Sequence, residues 1–219
     1  MRFVNREDAG DALATWLIAS QRSFQAVVAI PRGGVVVAGA VARRCQLPLY
    51  LAPVRKLGHP EEPEFALGAL APEGILVWHR DRQRWASPRL TAALAQEVER
   101  ARESLEAWLA EPSHQPWLPP AAAWEGVAAV VVDDGLATGL TLLAALRWLR
   151  CRTGARRLLG LVPVASEEAL TWLREQGEEV VSLRHLGAFG AVGEAYQDFH
   201  PVSDAEVDDV LRRHQALDR

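Results

Sequence analysis

Cysteine is scarce: Cys45 and Cys151 are the only two in 219 residues. Two thiols make neither a disulfide framework nor a zinc pattern, and they are expected to be small buried apolar residues in a reducing compartment. Basic charge is not in excess. The 24 Lys and Arg are outnumbered by 28 Asp and Glu, for a net charge of −4, so there is no positive field to draw in nucleic acid. No apolar run approaches the ~20 residues that cross a bilayer. Charges at Arg2, Arg6, Glu7 and Asp8 come too early for a secretory signal. These absences predict a soluble cytoplasmic chain that needs no nucleic acid and no membrane. Also missing are an internal repeat, a Walker lysine motif, a Gly-x-Ser-x-Gly elbow and metal-ligand His spacing. Tyrosine is rare, two against eight Trp, and most of the Trp are expected as core or interface anchors.

What is present is apolar material, 49% of the chain. That suffices for one α/β domain with an embellishment, or at most two small domains. The most informative stretch is Val130-Val131-Val132-Asp133-Asp134-Gly135-Leu136-Ala137-Thr138-Gly139-Leu140-Thr141. Residues 129–132 read as a buried strand that ends in two carboxylates. A short loop of small and hydroxyl residues follows, and a helix opens at Leu140. In open α/β sheets, ligands sit beyond the carboxyl ends of the strands. Unpaired amides at a helix start suit a phosphate. Thr138 and Thr141 can add hydroxyl donors, and Gly139 permits close backbone approach. Ionised Asp133 and Asp134 only accept, so they suit sugar hydroxyls or a metal ion rather than phosphate oxygens. Acceptors beside a phosphate cradle point to a sugar phosphate with free hydroxyls. The competing reading is an Asp-Gly hairpin turn, which the helix-favouring residues after Gly139 oppose.

The rest of the chain reads as alternating strands and helices. Asn5 caps a helix from about Arg6, with Leu13, Trp16 and Leu17 on its apolar face. A strand at 25–30 runs into Pro31-Arg32-Gly33-Gly34 and a helix over 35–44. Two glycines at that junction let amides converge on an anion, and Arg32 adds a charged fork; a plain tight turn is the alternative. The strand at 47–54 ends in Arg55 and Lys56, two cations placed to meet a polyanion or to stand as a solvated surface pair. An irregular, mobile tract follows, then a short strand at 74–78 and a long helix over 90–110. On that helix Glu97, Arg100, Ala101 and Ser104 mark a polar face, and Leu94, Val98, Leu105 and Leu109 an apolar one. Residues 111–125 carry four prolines and read as a connection. Strands at 157–164 and 179–183 flank a helix capped by Ser166, all in parallel order. Ser203 and Glu206 form a capping box for a last helix.

The central stretch resembles the 5-phosphoribosyl-1-pyrophosphate (PRPP) signature of the type I phosphoribosyltransferases. With Pro31-Arg32-Gly33-Gly34, Val54-Arg55-Lys56-Leu57-Gly58 and Pro63-Glu64-Phe65-Ala66-Leu67-Gly68-Ala69 it is similar to a bacterial group of such proteins whose acceptor is unassigned. The resemblance covers about residues 25–185. It implies a mostly parallel twisted sheet flanked by helices with a small hood, in a single domain over 1–219 whose hood comes from the N-terminal helix and the 186–219 tail. It implies that Asp133 and Asp134 hold the ribose 2′ and 3′ hydroxyls, and that Ala137, Thr138, Gly139, Leu140 and Thr141 wrap the 5′-phosphate. Arg32, Gly33 and Gly34 would receive pyrophosphate at a loop where members often strain one peptide bond. Arg55 and Lys56 would open a flexible loop that closes over the reacting centre, within which Glu64 either meets substrate or steadies the loop. Phe189, Tyr196 or Phe199 would stack on a ring or pack in the core.

The implied reaction is phosphoribosyl transfer from PRPP to a nitrogenous small-molecule acceptor, a nucleobase by preference, with Mg²⁺ held through PRPP rather than by a protein cage. A homodimer is compatible with this reading. Two other classes stay open: a PRPP-sensing regulator on the same fold that performs no transfer, and a PRPP or sugar-phosphate hydrolase.

Overall fold

The computed structural model describes residues 2–59, 66–81, 87–187 and 191–216. Five strands form an all-parallel sheet: β1 (Ala26–Ala29), β2 (Leu49–Leu51), β6 (Ala128–Val132), β7 (Arg157–Ala165) and β8 (Glu179–His185), in the order β2-β1-β6-β7-β8. Both faces of this sheet are covered, which is why β1 and β6 are unbroken apolar runs rather than alternating ones. Val28, Ala129 and Val131 face a core built with α4 (Leu140–Thr153) and α5 (Glu167–Glu175). Val27, Ala29, Val130 and Val132 face the opposite core, built with α1 (Arg6–Ala19), α2 (Gly33–Cys45) and α6 (Asp204–Gln215). The expected fold class is therefore the observed one.

The strand order fixes where a ligand can sit. From β1 the chain crosses through α2 to β2 on one side, and from β6 through α4 to β7 on the other. Between β1 and β6 the connections diverge, and a crevice opens at their carboxyl ends. The two ends are held level: Ala29 pairs with Val132, and the Ile30 amide donates to the Val132 carbonyl at 3.0 Å.

A second, antiparallel sheet of β3 (Arg55–Gly58), β4 (Ala66–Leu70) and β5 (Leu76–Trp78) was not foreseen as a unit. The tract expected to be irregular after Lys56 is strand at both ends; Pro60 to Glu64 and Phe65 lie outside the described residues. Pairing β3 with β4 buries Leu57 and Leu70 against Ala101 and Leu105 of α3 (Pro88–Ala110). Ala101 thus belongs to the buried face of α3, not the polar one, because a methyl group fits wherever a helix meets a sheet closely. Local caps follow the sequence: Asn5 accepts from the Asp8 amide at 2.9 Å, and Ser203 with Glu206 closes the capping box on α6. Trp117, Trp124, Trp148 and Trp172 are buried. Cys45 is half-buried and Cys151 is exposed, so Cys151 is not the buried apolar residue expected. It stands in the last turns of α4, where the helix has turned that side outward. Among the described residues no helix is long and apolar enough to cross a membrane.

Candidate functional site

Two loops meet at the crevice. The first leaves β1 as Pro31-Arg32, joined by a cis peptide bond, and becomes α2 at once, so Gly33 and Gly34 are the first helical residues rather than a loose turn. Their lack of side chains has a steric cause. A Cβ on Gly33 would fall 1.9 Å from Asp134 Oδ2, and one on Gly34 would fall 2.9 Å from the Val132 carbonyl. The glycines let α2 begin directly against the acidic end of β6.

The second loop carries the acids. Asp133 is buried. Its Oδ1 accepts from the Asp134 amide at 2.9 Å and its Oδ2 from the Thr141 hydroxyl at 3.4 Å. Burial, and then the negative charge of Asp134, push the Asp133 carboxyl up to about 7; Lys56 and these two donors pull the other way. Asp134 is held by a residue that sequence reasoning did not assign to the site. Arg6, at the start of α1, donates through Nε to Asp134 Oδ2 at 2.8 Å. Tyr196, read as a candidate ring-stacker or core residue, is buried and donates its hydroxyl to the Asp134 carbonyl at 2.6 Å. Its ring stacks on Phe199 at 4.8 Å, and burial raises its phenol well above the usual value.

From Gly135 the chain turns outward. Leu136 is tied to the end of β7 in both directions, its amide to the Val164 carbonyl and its carbonyl to the Ser166 amide, each at 2.9 Å. Ser166 was expected only to cap α5. It does so, accepting from the Ala169 amide, and it also donates its hydroxyl to the Ala137 carbonyl at 2.8 Å. Gly139 has φ 79°, the left-handed region. Ala137 is exposed and Thr138 half-buried. Among the described residues, no hydrogen bond engages the amides of 137–141. The loop is thus pinned to the end of β7 through Leu136 and Ala137, while its own amides carry no hydrogen bond.

The predicted cations lie nearby. Arg32 and Lys56 are exposed, and Lys56 is close enough to lower Asp133. Arg32 stands 3.7 Å from Asp204 of α6. Arg55 is partly turned aside: its Nε donates to Ser104 of α3 at 3.0 Å. Its guanidinium is held below the usual range by burial and then by the like charge of Arg32, with Asp204 opposing. All three cations line a cavity of about 570 Å³, together with Trp108, His114 and Asp204. The structure thus brings together Arg32, Gly33, Gly34, Lys56, Asp133, Asp134 and Thr141, with Arg55 at the margin. Phe199 is half-buried, its ring stacked on Tyr196 and 3.8 Å from the Arg6 guanidinium. Glu64 and Phe189 fall outside the described residues. Arg6 escaped notice because a single polar residue at a helix start carries no signal of its own; its partner lies 128 positions away.

Compared with known proteins, residues 4–158 match the family described as the phosphoribosyl transferase domain. A Mycobacterium tuberculosis protein, named provisionally as a phosphoribosyl transferase, is 37% identical over 210 residues, covering 94% of this chain and 45% of the relative. The chain therefore spans less than half the length of the curated relatives it matches. The crystal structure of TT1426 from Thermus thermophilus is 40% identical with a TM-score of 0.73, covering 97% of this chain and 99% of that one. A Neisseria gonorrhoeae protein solved with bound ppGpp has a TM-score of 0.52 at 13% identity, over 99% of this chain and 98% of its own. At that distance the likeness concerns the fold alone.

Proposed function

The chain belongs to the phosphoribosyl transferase domain family, and from that premise we propose that it transfers the phosphoribosyl group of PRPP to a nitrogenous acceptor of the nucleobase class, releasing pyrophosphate. One observation carries the reading. Where the connections from β1 and β6 diverge, two helix-opening glycines, a pair of carboxylates and a run of unengaged amides share one rim.

Each part has a task in that reaction. The amides of Ala137, Thr138, Gly139, Leu140 and Thr141 receive the 5′-phosphate at the start of α4, where the helix dipole favours negative charge. Asp133 and Asp134 accept from the ribose hydroxyls and fix the sugar, so that binding energy becomes orientation. As the C1–O bond breaks, positive charge grows on the ribose and negative charge on pyrophosphate. The start of α2 at Gly33 and Gly34, with Arg32 and Lys56, meets that leaving charge. Arg55 contributes from the edge while bonded to Ser104. No protein nucleophile is required. In this reading Mg²⁺ would be held through PRPP, with Asp133 and Asp134 the protein carboxylates placed to assist. It would supply further positive charge at the leaving group. Helix α1 and the stretch after β8 serve as the hood in this reading. Water exclusion by the 56–68 segment would rest on residues 60–65, which lie outside the described residues.

The deciding experiment is a panel of nucleobases and small amines with PRPP and Mg²⁺, following pyrophosphate. Release that depends on one acceptor is expected. Release without any acceptor would favour a hydrolase, and PRPP binding without turnover across the panel would favour a regulator. Within the same assay, Arg32→Ala should weaken pyrophosphate inhibition about tenfold, as for a lost charge-assisted contact, and ribose 5-phosphate inhibition much less. The reverse order would reject the leaving-group role of Arg32.

A further inference from the structure

Asp134 is held at two points by elements outside the phosphate loop and the pyrophosphate turn. Its side chain is gripped by Arg6 of α1, and its carbonyl by Tyr196 of the tail. Arg6 is itself fixed on three sides. Nε bonds Asp134, Nη1 donates to the His200 carbonyl at 2.8 Å, and the guanidinium lies 3.8 Å from the centre of the Phe199 ring. The two side chains are only 8% and 18% exposed. This sets the pair apart from open surface pairs such as Arg100 with Glu97, where solvent and side-chain freedom leave little net effect.

The pair also packs against the pyrophosphate turn at Gly33. A Cβ on Gly33 would sit 3.0 Å from Arg6 Nε as well as striking Asp134. Arg6 occupies only Oδ2 of Asp134. Among the described residues none donates to Oδ1, and a carboxylate oxygen has lone pairs to offer. A carboxylate already fixed in one rotamer gives up less freedom when a ligand arrives. A guanidinium on Asp134 also offsets part of the charge that Asp134 sets beside Asp133. Lysine would keep the charge but not the fork that reaches Asp134 and His200 together.

We propose that Arg6 is a positioning residue for the sugar-binding carboxylate: it holds Asp134 by Oδ2 so that Oδ1 is presented to a ribose hydroxyl, and through Phe199 and His200 it couples that carboxylate to the C-terminal tail. The proposal rests on the PRPP reading above. It is tested by calorimetry on the full chain, titrating PRPP with Mg²⁺, ribose 5-phosphate and pyrophosphate separately. Arg6→Gln is expected to weaken PRPP and ribose 5-phosphate about tenfold, the size of coupling usual for a contacting pair, while pyrophosphate stays within about twofold. On an Asp134→Asn background the same change should cost nothing more. If Arg6→Gln does not fold, Arg6→Lys carries the test and should show the same split between sugar-bearing and sugar-free ligands, smaller in size. Equal loss for all three ligands, additive losses on the two backgrounds, or no loss in either variant would overturn the proposal while leaving the PRPP reading intact. A native protein that binds neither PRPP nor ribose 5-phosphate would overturn that reading, and this proposal with it.

Discussion

The loop after β1 and the loop after β6 meet at one rim, and both depend on glycine, but for different reasons. In the first, Gly33 is needed for room. Its backbone is ordinary helix, and a side chain there would occupy the space of the Asp134 carboxylate. In the second, Gly139 is needed for conformation as well. Its φ is 79°, and a Cβ would come within 2.9 Å of Leu173 Cδ1, on the protein side of the loop. The first glycine therefore lets α2 start against the acidic end of β6, and the second keeps a loop against its scaffold. The same residue type in the same kind of motif can serve the site or the fold, and only the direction in which the missing side chain would point tells which.

That contrast can be broken by experiment. The largest effect is expected from Gly33→Ala, which forces Asp134 out of place while α2 gains a good helix former. PRPP affinity should fall on the order of a hundredfold, about 2.7 kcal/mol. A variant that binds PRPP normally would show that the acids tolerate displacement. Next comes pH. The folded Asp133 value of about 7 lies above the ordinary 3.8. Between these values the folded chain keeps a proton that the unfolded chain has lost, so stability falls as pH rises through that window, by roughly a few kcal/mol in total. Asp133→Asn should flatten that fall in denaturant melts from pH 4 to 7. An unchanged slope would mean another group controls it. The smallest effect is expected from Gly139→Ala. It should cost about 1–2 kcal/mol of stability for the left-handed φ alone, read as a lower urea midpoint, with a smaller loss of PRPP affinity than Gly33→Ala. The reverse ranking of the two glycines would erase the distinction.

The parallel sheet was legible because each strand is a short apolar run closed by a turn signal, and because strand and helix alternate. Residues 127–183 carry that order without interruption, and β6, β7 and β8 pair as it requires. The small antiparallel sheet was not legible. β3 is a charged, glycine-ended run, and its apolar partner β4 lies across a Pro- and Glu-rich stretch, so neither strand announces the other. The candidate site divides in the same way. Asp133, Asp134, Thr138, Gly139 and Thr141 stand in one contiguous motif, whereas Arg6, Ser166 and Tyr196 act on it from distant parts of the chain, as residues that look like a helix start, a helix cap and a core aromatic.

The sequence by itself determined the strands of the parallel sheet, their parallel order and the motif at the end of β6, because hydrophobic period, caps and turn residues act over a few neighbours. The tertiary structure alone decided which carboxylate is gripped and by what, which glycine makes room and which makes a turn, and how the loop after β6 is pinned to the end of β7. Those outcomes depend on contacts between residues far apart in the chain, 128 positions in the case of Arg6 and Asp134, and no local rule of propensity or spacing carries information across such a distance.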